Sequence, residues 1–219
     1  MKIMIIGGSG RVGNALVEDF LTRSEAEVTI AVAHPERIAI TDHKRVKVIK
    51  MNLGKLNIAE LTKLETGFNA IYFVAGSRGH DLINVDSFGA IKTMIAAEKA
   101  GVSRYLMLSS YGSLELDSWL NQEKYAALQE YQAAKFMADN YLIKSTNLNY
   151  TILQPSSLVE GKGTGKVDFD ASKPTHSSSI KDVARVLFLS LDNAQTYKKV
   201  ITMQNGTNKI EDALNDLSR

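Results

Sequence analysis

Apolar positions along the chain fall into two rhythms. Short apolar or β-branched runs occupy 3–6, 27–33, 46–51, 70–74, 104–108 and 148–153, and they read as strands buried on both faces. Between them lie helix-type stretches at 11–22, 57–64, 81–100 and 122–144. In 81–100, Ile83, Phe88, Ile91, Met94 and Ile95 fall largely on one helical face, and Gly101 supplies a C-terminal stop. The stretch 122–144 is rich in Ala, Gln, Lys and Leu and holds no breaker. A helix at 180–191, a strand at 199–203 and a short helix at 210–217 complete the pattern. Strands alternating with helices at this spacing predict βαβ units, hence an α/β fold with a doubly wound parallel sheet and helices on both faces.

Two stretches escape both rhythms. Residues 111–121 read as a polar loop, with Trp119 either covering a substrate or anchoring the packing. Residues 156–179, with Gly161, Gly163, Gly165 and several serines, read as the least structured part, a mobile loop on the substrate side. In a doubly wound sheet, ligands bind at the carboxyl ends of the strands. The segments predicted there are 7–13, Ala33, Asn52, Ala75 and Ser109-Ser110.

Composition narrows the class. With 219 residues, one domain over 1–219 is expected, and a net charge of +2 favours neither nucleic acid nor an anionic membrane as partner. The chain has no cysteine, which removes disulfides, thiolate nucleophiles and thiolate metal sites together. No apolar run approaches the roughly twenty residues of a membrane span, so a cytoplasmic protein is expected. His34, His43, His80 and His176 are scattered without ligand spacing, and no metal site is expected.

The chemistry begins at the end of the first strand. Gly7-Gly8-Ser9-Gly10-Arg11-Val12-Gly13 stands between an apolar strand and an amphipathic helix, the context of a dinucleotide site. Gly7 suits the tight turn, Gly10 removes a Cβ from the path of a pyrophosphate, and Gly13 allows close packing of helix on strand. Phosphates would sit at the positive helix N-terminus. The second strand ends Ala33-His34-Pro35-Glu36-Arg37 without the strand-end carboxylate that bonds ribose hydroxyls in NAD sites. With Arg11, His34 and Arg37 close by, NADP is favoured, with NAD as the alternative. Small residues Ala75-Gly76 would let a ribose or adenine pass over the sheet edge.

Tyr131 and Lys135 are four apart in a predicted helix and so share a face. A positive charge beside a phenol favours phenolate, which suits Tyr131 to exchange a proton with a carbonyl oxygen.

The turn GGSGRVG, the segment NVDSFGAIKTMIAAEKAGVSRY, the strand end MLSSYG, the helix YQAAK, the strand NYTILQP and SIKDVARVL occur in the order seen in the short-chain dehydrogenase/reductase superfamily. The chain most resembles its atypical NAD(P)-binding branch, with biliverdin reductase B-like, NmrA-like and sugar-epimerase-like relatives. The resemblance implies a Rossmann-type domain in which Gly7, Gly10 and Gly13 form the pyrophosphate turn and Arg11 and Val12 donate backbone N–H groups. It places Asn52 and Leu53 beside the adenine, Ala75 and Gly76 along the ribose, and Pro155 at the start of the segment flanking the nicotinamide. Ser109 or Ser110 would bond the reacting oxygen, Tyr131 would be the general acid/base, and Lys135 would hold the nicotinamide ribose.

The implied activity is hydride transfer between NAD(P) and a small carbonyl, quinone, flavin or sugar-like substrate. A non-catalytic NAD(P) sensor and an NAD-dependent epimerase or dehydratase stay open as alternatives. The chain departs from the branch at Ala33, where NADP-binding relatives often carry Arg, at Asn52 in place of Asp, and at Gln154-Pro155-Ser156 in place of Arg-Pro-Gly.

Overall fold

The computed structural model describes residues 1–38, 44–169 and 174–218. The chain runs β1 (Lys2–Ile6), α1 (Arg11–Arg23), β2 (Glu27–Val32), β3 (Val46–Lys50), α2 (Ile58–Glu65), β4 (Ala70–Phe73), α3 (Phe88–Lys99), β5 (Arg104–Leu108), α4 (Leu116–Trp119) and α5 (Gln129–Ser145). It continues through β6 (Asn149–Pro155), β7 (Leu158–Val159), β8 (Lys166–Phe169), β9 (Ser178–Ser179), α6 (Ile180–Leu189), β10 (Lys199–Asn205), β11 (Asn208–Lys209) and α7 (Ile210–Asn215). Among the described residues, no helix is long and apolar enough to cross a membrane. His43 lies outside the described residues.

The main sheet has the order β11-β8-β10-β6-β5-β4-β1-β2-β3. From β3 across to β10 every pairing is parallel. Side chains of β1 alternate between the two faces, as a strand requires. Ile3 and Ile5 join Leu16, Phe20, Val183 and Leu187 on the face covered by α1, α6 and α7. Met4 and Ile6 join Leu61, Met94, Ala97 and Leu142 on the face covered by α2, α3 and α5. The predicted Rossmann-type sheet is therefore present, and its winding reverses between β1 and β4, which places the ligand crevice there.

Three local expectations change. The stretch expected as one helix over 81–100 opens with a wide π turn at Leu82–Ser87 before α3 begins. That turn shifts the helical phase: Ile83 is 58% exposed and Phe88 50% exposed, while Ala90, Thr93, Met94 and Ala97 form the buried face. The expected 122–144 helix is split, with a 3-10 turn at Glu123–Leu128 before α5. Finally, the described part of 156–179 is not a plain loop. β7 pairs with β9, and β8 joins the main sheet antiparallel to β10.

Candidate active site

One cleft of ≈ 1670 Å³ runs over the carboxyl ends of the parallel strands. Pockets for a single small molecule are roughly 300–1000 Å³, so this one has room for a dinucleotide and a second molecule together. Gly7, Gly10, Arg11, Val12, Ala33, His34, Arg37, Asn52, Leu53, Ala75, Gly76, Ser109, Ser110, Tyr131, Lys135 and Pro155 all line it. Gly13 stands behind the wall.

At the switch point the glycine turn meets the end of β4. Gly7 has φ +88, and a Cβ there would lie 2.4 Å from the Cα of Ala75, so no larger residue fits. A Cβ on Gly13 would lie 2.5 Å from the Gly7 carbonyl oxygen, which fixes how closely α1 approaches the turn. Gly10 is the N-cap of α1 and offers no side-chain cap, and the first turn carries no acidic residue. The first N–H groups of a helix lack intrahelical acceptors, so this end of α1 presents donors and a positive dipole to the cleft. These features fit a pyrophosphate.

Around the adenine end, Ala33, His34 and Arg37 follow β2, and Glu36 holds the His34 ring at 3.0 Å but stands outside the cleft lining. Arg11 reaches across the mouth to Glu160 at 3.4 Å, an exposed pair of small energetic weight. The opposite wall is built by a buried cation. Lys92 of α3 donates to the carbonyls of Leu53 and Leu56 at 2.5 and 2.8 Å, and the Asn52 side chain accepts from the Gly54 N–H at 3.1 Å.

At the other end, α5 carries Tyr131 and Lys135 on one face, with the ammonium 5.6 Å from the centre of the phenol ring. Lys135 is almost fully buried and sits 3.8 Å from the buried Asp86 carboxylate, and it donates to the Leu108 carbonyl at 3.4 Å. Asp86 comes from the wide turn before α3. Its other oxygen accepts from the Ser77 N–H at 2.9 Å. Asp86 and Ser77 both belong to the cleft wall, and Asp86 Oδ1 and Ser77 Oγ are buried within it with no hydrogen-bond partner.

The two serines part company. Ser109 is 4% exposed and its hydroxyl donates to Asp139 Oδ2 at 2.6 Å. The same oxygen accepts from Ser113 Oγ at 2.6 Å and Gln154 Nε2 at 3.0 Å. Burial pushes the Asp139 carboxyl up, against the pull of these three donors and of Lys135. Ser110 is half-buried and lines the cleft. Trp119 is an anchor: it is 2% exposed and donates to the Ser113 carbonyl at 3.1 Å.

Asp86, Ser77 and Asp139 were not singled out in the sequence. Asp139 was within reach, because Tyr131, Lys135 and Asp139 repeat at intervals of four and so share a helical face. Asp86 was not, since its aim depends on the wide turn.

A Rossmann-type sheet whose switch point holds a phosphate-ready helix end, and whose crevice continues to a tyrosine–lysine pair, defines a dinucleotide-binding protein of oxidoreductase or epimerase type. The chain belongs to the NAD(P)H-binding family, whose model matches residues 7–194. A Bacillus subtilis protein described as an uncharacterized sugar epimerase is 31% identical over 99% of this chain and 100% of its own length. The crystal structure of an oxidoreductase from Lactococcus lactis is 36% identical, with TM-score 0.92 over 100% of this chain and 97% of that one. A short-chain dehydrogenase/reductase from Veillonella parvula, solved in complex with NADP, shares the fold at 21% identity, with TM-score 0.74 over 95% and 97% of the two chains. The kinship with the atypical NAD(P)-binding branch stands, and NAD(P)H is the cofactor of this domain.

Proposed function

We propose that the protein is an NAD(P)H-dependent oxidoreductase acting on a small carbonyl, quinone, flavin or sugar-like substrate, with Tyr131 as general acid/base. The observation that carries this reading is the Tyr131–Lys135 pair on one face of α5, in the same cleft as the glycine turn. A protein that only sensed the cofactor would need the glycine turn but not this pair.

The bound cofactor supplies hydride chemistry. Gly7, Gly10 and the first N–H groups of α1 hold the pyrophosphate. Lys135, with Asp86 and Ser77 behind it, holds the nicotinamide ribose and sets a positive charge 5.6 Å from the centre of the Tyr131 ring. Ser110 donates to the reacting oxygen, in place of Ser109, whose hydroxyl is already committed to Asp139. Arg37 favours NADP, since it lines the cleft just after the end of β2 and, among the described residues there, no carboxylate does.

The test is direct. NADPH and NADH binding are followed by fluorescence and thermal shift, and turnover is measured with a carbonyl, quinone, flavin and sugar panel. Cofactor-dependent turnover lost in Tyr131→Phe is expected. Tight cofactor binding without turnover on any substrate would favour the sensor reading instead.

A further inference from the structure

We infer that Asp139 is a positioning residue of this site: its buried carboxylate takes the Ser109 hydroxyl and pins residues 109–113, so that Ser110 is the serine presented to the substrate. The activity part of the inference rests on the oxidoreductase reading above. The structural part does not.

The strand geometry supplies the first argument. Ser109 N–H donates to the Leu153 carbonyl at 2.8 Å and Tyr111 N–H to the Pro155 carbonyl at 3.1 Å, so the β5–β6 ladder continues through residue 111. Along an extended chain, neighbouring side chains point to opposite sides. With Ser109 turned onto Asp139, Ser110 faces away from that carboxylate.

The second argument is the reach of the network. Asp139 Oδ2 gathers Ser109 from the end of β5, Ser113 from the turn that follows and Gln154 from the end of β6, and Gln154 also donates to Ser113 Oγ at 2.8 Å. Gln132, also on α5, donates to the Tyr111 carbonyl at 3.0 Å. The Ser113 carbonyl then carries Trp119. The segment 109–113 and the end of β6 are thus tied to α5, the helix of Tyr131 and Lys135. Asp139 is fully buried, where losing it leaves its donors unpaired at high cost.

Because Trp119 is the chain's single tryptophan and hangs from Ser113, its fluorescence reports the network without any substrate. The experiment compares Asp139→Leu, Asp139→Asn, Ser109→Ala, Ser110→Ala and the double variant Asp139→Leu/Ser110→Ala. Trp119 emission and acrylamide quenching are read first, then kcat and KM separately on the best substrate of the panel.

Asp139→Leu is expected to red-shift Trp119 and increase its quenching, and to lower kcat about a hundredfold at little-changed KM, the effect of a misplaced donor. Asp139→Asn, which keeps an acceptor oxygen for the serines, is expected to retain the wild-type emission and most of kcat. Ser110→Ala is expected to lose about a hundredfold in kcat and Ser109→Ala less than about tenfold. The double variant should be no slower than Ser110→Ala, because both changes remove one function. Should Asp139→Leu not fold, Ser113→Ala takes its place, with the same red shift expected.

Unchanged Trp119 emission and quenching in Asp139→Leu would overturn the inference, as would Ser109→Ala being slower than Ser110→Ala. Absence of turnover in every variant and in the wild type sinks the oxidoreductase reading alone, and the Trp119 result still decides the role of Asp139.

Discussion

Glu65, in the last turn of α2, is fully buried, and neither of its carboxyl oxygens has a hydrogen-bond partner. Burial alone pushes its pKa up from 4.5 to about 9. Between those values the folded chain holds a proton that the unfolded chain releases, so stability falls as pH rises, by about 1.4 kcal/mol per unit. At pH 7 the accumulated loss is about 3 kcal/mol relative to acidic conditions where Glu65 is protonated in both states. Glu65→Met removes the carboxyl and keeps an unbranched side chain of similar length.

Urea unfolding of the wild type and Glu65→Met at pH 5, 6, 7 and 8 isolates this group, since all other titrations cancel in the difference. The variant is expected to gain on the wild type by about 4 kcal/mol between pH 5 and 8. For a chain of this size each 1 kcal/mol shifts Tm by about 2–4 °C, so a thermal melt resolves the trend. A difference that stays constant with pH would refute the reasoning, because Glu65 would then ionise as freely folded as unfolded.

Other perturbations read the site and its supports. Arg37→Ala should weaken NADPH binding about tenfold and leave NADH binding unchanged, as loss of one charge-assisted phosphate contact requires, and fluorescence titration with both cofactors checks it. Gly13→Ala drives a Cβ to 2.5 Å from the Gly7 carbonyl, and it is expected to cost about 1–3 kcal/mol in urea unfolding and to weaken both cofactors alike. Arg104, at the opposite end of the sheet, donates to Leu191, Asn149 and Ser190 carbonyls and to the Thr151 and Thr196 hydroxyls. Arg104→Met should lose about 3–5 kcal/mol of stability without changing cofactor affinity at temperatures where the variant is folded.

The parallel sheet was legible because buried parallel strands need unbroken apolar runs and little else in the chain supplies them. The glycine turn was legible because its positions answer to sterics at the switch point, where Gly7 and Ala75 nearly touch. Phase was not legible. A π turn at Leu82–Ser87 has no strong local signature, and it alone turns Ile83 and Phe88 outward and Asp86 inward. Nor could the sequence separate Ser109 from Ser110, because their difference lies in a carboxylate thirty residues away on another element. The short strands within 156–179 escaped for the same reason: β8 is held by β10 and β11, which follow it in the chain.

The two ends of the sheet have a bearing on how this protein behaves in concentrated solution. One terminal strand, β3, sets the exposed Lys47 and Lys50 among its apolar positions, and the other, β11, is only the pair Asn208–Lys209. Among the described residues, an approaching chain meets like charge at one rim and a short template at the other, both of which disfavour strand-by-strand growth into fibres. The antiparallel β8 and β11, of which β8 adds Val167 to the core, act as a stopper for a sheet that would otherwise end on β10.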